Sequence, residues 1–189
     1  MILGLAVTEL LGGFARMVRA KAVRRLEPQT ALLALLTFIV ICAIWIDAWT
    51  SLKTISLDFA GLWAPILLVT AYYLAAAVVF PSDPKDYSDL GTYFADRKCF
   101  VVAMLLAAEL LVSYTFRNVI VDELRTKPAL FWLWFLPYNF SIKGCYIALL
   151  IVRGRRANIA LMIALILLFM VPYWVHGEAE SLIARHYGY

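Results

Sequence analysis

Three ionisable side chains, Glu9, Glu109 and Lys143, sit deep inside apolar stretches of the chain. Lys143 falls near the middle of LWFLPYNFSIKGCYIALLIV, Leu133 to Val152. Counted at 1.5 Å per residue from the basic ends of their segments, the three lie roughly 10, 16 and 13 Å deep, close to one layer. A lone charge at the centre of a helix in lipid costs at least about 2.5 kcal/mol. The expected arrangement is therefore an ion pair within about 4 Å, Lys143 with Glu109, with Glu9, or with both. Such a pair supports two chemistries. As a structural lock it contributes little net stability but fixes which helices pack together. As a titrating site it would belong to a proton or ion route, because intramembrane ionisable groups mark such routes. Pro137 lacks an N–H and should loosen its helix, while Tyr138, Asn139 and Ser141 add polar side chains beside it. A loosened, polar helix at that depth is tolerated where it is buried in protein or lines a cavity. The lock is the preferred expectation and the pathway its alternative.

Other chemistry is poorly represented. Asp83, Asp86 and Asp89 recur every three residues, but two prolines and a lysine interleave them, as in a solvated loop. Asp47, Asp58, His176, Glu178 and Glu180 flank apolar runs without the spacing of a metal motif. They read as an acidic, aromatic surface that meets a partner or lipid headgroups. Cys42, Cys99 and Cys145 are odd in number and unpaired in spacing, so buried small apolar residues are expected rather than disulfides or zinc ligands. Gly-rich phosphate loops, HExxH, G-x-S-x-G and paired-aspartate prenyl diphosphate motifs are absent. No catalytic residues, cofactor or metal are expected, and the chain reads as a non-enzyme.

The elements that must position these residues are apolar helices. Of the 189 residues 64% are hydrophobic and 16% charged, with mean hydropathy +0.83, a membrane composition rather than a soluble one. Six apolar runs, roughly 2–17, 30–50, 59–80, 99–117, 129–152 and 157–176, approach the length that crosses a bilayer. The expected fold is an all-α polytopic bundle of six transmembrane helices, or five plus an N-terminal interfacial helix, in one integral membrane domain. Arg16 and loops 18–29, 81–98 and 153–156 hold most of the seventeen Lys and Arg residues. Lys53, Arg117, Arg125, Lys127 and Arg185 fall on the other side, so the first group is expected to be cytoplasmic. This charge pattern, with pI near 9.0, sets topology and does not suggest nucleic acid. Trp45, Trp49, Trp63, Trp132, Trp134 and Trp174 all fall at the opposite ends of their segments, an external interfacial belt. Both termini are then external if all six helices span. The first run carries its positive charges after it, as an uncleaved first helix does.

Smaller features complete the reading. Gly4, Thr8 and Gly12 recur every four residues, a stripe that lets helix backbones approach closely within the protein or against a partner. Ser88 could cap a short amphipathic helix presenting Leu90, Tyr93 and Phe94 to the interface. AVTELLGGFAR and AAELLVSYTFR share Glu-Leu-Leu in segments of opposite direction, but the remaining segments do not align, and coincidence is the simpler reading.

The stretches GLAVTELLGGFARMVR, YYLAAAVVFP and DLGTYFADRKCF resemble small multi-pass bacterial membrane proteins. The resemblance implies a bacterial inner-membrane address and a helical bundle, and assigns no activity and no functional residue. The expected partners are the lipid bilayer and other membrane chains, including a second copy. The expected role is a structural or accessory subunit, with a small transporter or channel as alternative.

Overall fold

Long apolar segments with few breakers make helices, and the computed structural model is all-α throughout residues 2–20, 27–51, 59–82 and 90–170, the residues it describes. The elements are α1 (Ile2–Arg19), α2 (Pro28–Ser51), α3 (Phe59–Val79), α4 (Leu90–Thr115), α5 (Arg117–Thr126), a single turn α6 (Pro128–Leu130), a π-helical turn (Phe131–Phe135) and α7 (Leu136–Ile151). A further helix, α8, covers 155–170. Two of these, over Pro28–Ala48 and Gly91–Thr115, are long and apolar enough to cross a membrane.

Local sequence explains the boundaries. Pro28 opens α2 at the position where a missing N–H costs nothing, with Ala31 donating to the Glu27 carbonyl at 3.1 Å. Pro81 follows the end of α3 and disfavours helix at Phe80. Val152 turns extended after α7, and a three-residue link leads into α8, where Asn158 donates to Gly154 at 2.9 Å.

Cross-helix contacts fix the directions. A Cβ on Gly4 would lie 3.9 Å from the Trp45 ring, which puts the start of α1 beside the end of α2. Gly13 lies against Phe80, Tyr93 Oη donates to the Val78 carbonyl at 2.6 Å, and Lys98 Nζ donates to the Val152 carbonyl. Those three contacts gather the ends of α1, α3 and α7 with the start of α4. Tyr138 Oη donates to the Leu168 carbonyl at 2.9 Å at the opposite end. The long helices therefore run alternately up and down, with Arg16, Arg19, Lys98, Arg153 and Arg155 at one end. α3 is central, packed against α1, α2 and α4, and α7 packs on α4. The core joins Leu36, Val40, Tyr72, Ala75, Val101, Leu105, Tyr146, Leu149 and Leu165, all buried.

Several sequence expectations change. The run placed at 99–117 belongs to a helix that starts at Leu90. Tyr93 and Phe94 are buried within the bundle rather than presented to an interface. The stretch before the fifth run is helical at α5, and the run 129–152 is broken by the π turn. Pro137 accounts for the break: it cannot donate toward Leu133, and its ring crowds that carbonyl, so the ladder widens by one residue just upstream. Asp58, Asp83, Asp86, Asp89, Ser88, Trp174, His176, Glu178 and Glu180 lie outside the described residues.

Candidate functional site

The polar residues around Pro137 bond back to carbonyls of their own helix. Asn139 Nδ2 donates to the Phe135 carbonyl at 3.0 Å, and Ser141 Oγ donates to the Pro137 carbonyl at 2.7 Å. Tyr138 ties the same turn to α8 through Leu168. These side chains turn back onto the helix, as short polar side chains in helices do.

Lys143 finds its partner on its own helix. Its Nζ donates to Asn139 Oδ1 at 3.4 Å, one turn back toward the helix start, the direction in which helical side chains lean. One relay thus runs from Lys143 through the Asn139 amide to the Phe135 carbonyl. The expected ion pair within 4 Å does not form, either with Glu109 or with Glu9. Glu9 instead takes Arg16, whose Nη2 donates to Oε1 at 3.2 Å. Residues seven apart share a helix face, and a long arginine leans toward the helix start, so Arg16 reaches Glu9 without a second helix. The three-residue layer therefore splits: Glu9 belongs to the basic end, while Glu109 and Lys143 remain within electrostatic reach of each other.

Glu109, 9% exposed on α4, is the buried carboxylate of the bundle's interior. Lys143 on α7 and Asp47 on α2 act on it, and it acts in turn on Tyr138 and Tyr146. The Tyr146 hydroxyl is fully buried and has no hydrogen-bond partner among the described residues. Sequence reading missed Tyr146, because a tyrosine in an apolar run looks like core; its i+3 relation to Lys143 was the available signal.

The small-residue stripe also changes meaning. The close approach within the bundle is made by Gly13, where a Cβ would stand 2.9 Å from Phe80 Cδ2. Ala6, Leu10, Gly13 and Met17 form the buried face of α1. At about 100° per residue, Thr8 and Gly12 lie away from that face, while Gly4 at the helix start lies against the Trp45 ring. Thr8 is exposed, its hydroxyl turned back to the Gly4 carbonyl at 2.8 Å, and a Cβ on Gly12 would meet only Arg16 Nη1 at 3.8 Å. Leu5, Leu11 and Val18 frame this stripe and are exposed.

Of the tryptophans, Trp45, Trp63 and Trp132 are exposed and lie toward the helix ends away from the arginines. The side chains of Trp49 and Trp134 lie outside the described residues, although their backbones are helical. Cys42 and Cys145 are partly buried; Cys99 is exposed, contrary to expectation, with Sγ 3.9 Å from the Leu150 carbonyl.

No family model, curated protein or solved structure matches this chain. The functional reading therefore rests on the chain's own geometry.

Proposed function

We propose that the chain is an integral membrane protein acting as a non-enzymatic subunit that associates through α1 with a further membrane helix. The observation that carries this reading is the outward face of α1. Of its small-residue stripe, Thr8 and Gly12 lie outward between exposed Leu5, Leu11 and Val18, while Gly4 lies against Trp45 at the helix start. In lipid, where apolar burial gives no drive between helices, such stripes favour association by letting backbones approach. Support for the membrane setting comes from large apolar side chains on the outer surface: Phe38, Leu67, Leu110, Phe140, Ile147 and Leu167 are all exposed. The arginine-rich end is then cytoplasmic and the tryptophan end external, in a bacterial inner membrane.

Native mass spectrometry of the full chain in mild detergent tests this. A second copy or a co-purifying membrane chain is expected, and Gly12→Leu should abolish that association while the monomer stays folded. A monomer for the wild type, or an unaltered assembly for Gly12→Leu, would overturn the reading. A second reading, proton or ion transport, is favoured by buried Glu109 acting on Lys143 across two helices. Proton flux into vesicles carrying the wild type, lost in Glu109→Gln, would establish it; no flux above empty vesicles removes it.

A further inference from the structure

At the arginine-rich end, an open cleft of about 650 Å³ lies between the starts of α2, α4 and α8 and the end of α7. Among the described residues its polar lining is three cations, Lys98, Arg153 and Arg155, and two amides, Gln29 and Asn158. Lys98, 5% exposed, spends two of its three N–H groups on the Val152 carbonyl and on Asn158 Oδ1 at 3.4 Å, and has one left. Asn158, nearly fully buried, uses its oxygen on Lys98 and keeps its NH2 group. Gln29 is more than nine-tenths buried, lines the same cleft, and makes no side-chain hydrogen bond among the described residues. Arg153 adds a guanidinium with no ion pair within 4 Å among the described residues, and it acts electrostatically on Lys98. Arg155 also lines the cleft, and its one anionic contact is Glu27, at a loose 3.7 Å on the rim.

Cations held near each other, two buried amides and, among the described residues, no carboxylate give the cleft more donors than acceptors. That surplus of positive charge and N–H groups favours an occupant that accepts hydrogen bonds. A charged, multi-oxygen acceptor suits a guanidinium and an ammonium best. The first turn of α8 contributes Arg155 and Asn158 to the lining, and helix starts favour negative charge. Apolar Leu150 and Ile151 form one wall, with Ile151 strongly exposed toward the outside of the bundle.

We propose that this cleft is a binding site for a phosphate-bearing anion. Its volume exceeds that of phosphate alone and accommodates a phosphate with a small polar substituent. Both an anionic phospholipid headgroup of the cytoplasmic leaflet and a soluble phosphate ester have this chemistry. The apolar wall beside the donors gives acyl chains a continuous path, as in basic pockets between membrane helices.

Native mass spectrometry of the full chain in mild detergent, with added phosphatidylglycerol or phosphatidylcholine, reads the site directly. Retention of phosphatidylglycerol over phosphatidylcholine is expected, weakened about tenfold by Arg153→Ala, which removes one charge-assisted contact. Gln29→Met keeps the side-chain volume and should weaken retention in the same direction. Thermal unfolding in the same micelles should be unchanged for Arg153→Ala, because that side chain is exposed and unpaired. If inorganic phosphate displaces the lipid or binds alone, and Arg153→Ala abolishes that binding, the source is a soluble phosphate. If phosphate neither binds nor competes while the lipid is retained selectively, the source is the membrane. Equal retention of both lipids with no phosphate binding, or variants that bind as the wild type does, would overturn the proposal. None of these outcomes depends on whether α1 self-associates.

Discussion

Tyr93 and Tyr146 carry the same hydroxyl into opposite situations. Tyr93 donates to Val78 at 2.6 Å, satisfying a carbonyl in the last turn of α3 that has no helical partner. Tyr146 is buried with its hydroxyl unpartnered among the described residues. Tyr93→Phe is therefore expected to destabilise by about 1 kcal/mol, and Tyr146→Phe to be neutral or stabilising. Equilibrium unfolding of both variants in detergent checks the sign of each. Around Pro137 the asymmetry lies between the two ends of one relay. Lys143→Met removes a donor and lets its apolar stem be replaced in kind, so a small effect is expected. Asn139→Leu instead takes away the acceptor of the Lys143 ammonium, a loss of about 1–3 kcal/mol. Comparing the two melting temperatures tests this; a larger loss for Lys143→Met would mean that Glu109 is its true partner.

Among the described glycines, Gly13 makes the closest approach between two helices. Gly13→Ala would press Phe80, whose Cβ would be 3.1 Å from the added methyl and cannot easily move, whereas Gly12→Ala meets only the flexible end of Arg16. The first is expected to destabilise the bundle by about 1–3 kcal/mol and the second to leave it unchanged. Phe80→Ala should lose its own packing yet reduce the cost of Gly13→Ala, a coupling measurable in a double-mutant cycle. The same helix shows how much of the molecule was legible in the sequence. Four consecutive elements could be read from runs of apolar residues, because length and hydropathy alone demand helices there. The start of α4 could not: Asp96, Arg97 and Lys98 end the apolar run although the backbone continues through them. α5 was missed because RNVIVDELRT is short and charged, with Ile120 and Val121 spaced from Leu124 as the brief helical signal. Within the candidate site, burial of Glu109 followed from the sequence, but the partners of Glu9 and Lys143 did not. Both are local, on the same helix, and a count of depth along separate helices says nothing about them.

For the whole molecule, the up-and-down arrangement separates an arginine end from a tryptophan end. If the first faces the cytoplasm, the native Cys99, exposed beside the basic cleft, should react with a membrane-permeant maleimide and resist an impermeant one in intact cells. A cysteine at Thr126 in a cysteine-free background should react with both. The reverse pattern would invert the molecule. The π turn has a further effect, on the lengths of chain that this arrangement can absorb. Phe131–Phe135 already holds a residue more than α-helical stepping requires. Losing one residue there, with Pro137 replaced, closes the ladder and turns only the short α5–α6 approach. Losing one between Ile142 and Tyr146 turns half of α7 by about 100° and swings buried residues outward on that half. Relatives of this protein that differ in length by one residue in this region should carry the gap at 131–135, together with a residue other than proline at the position of Pro137.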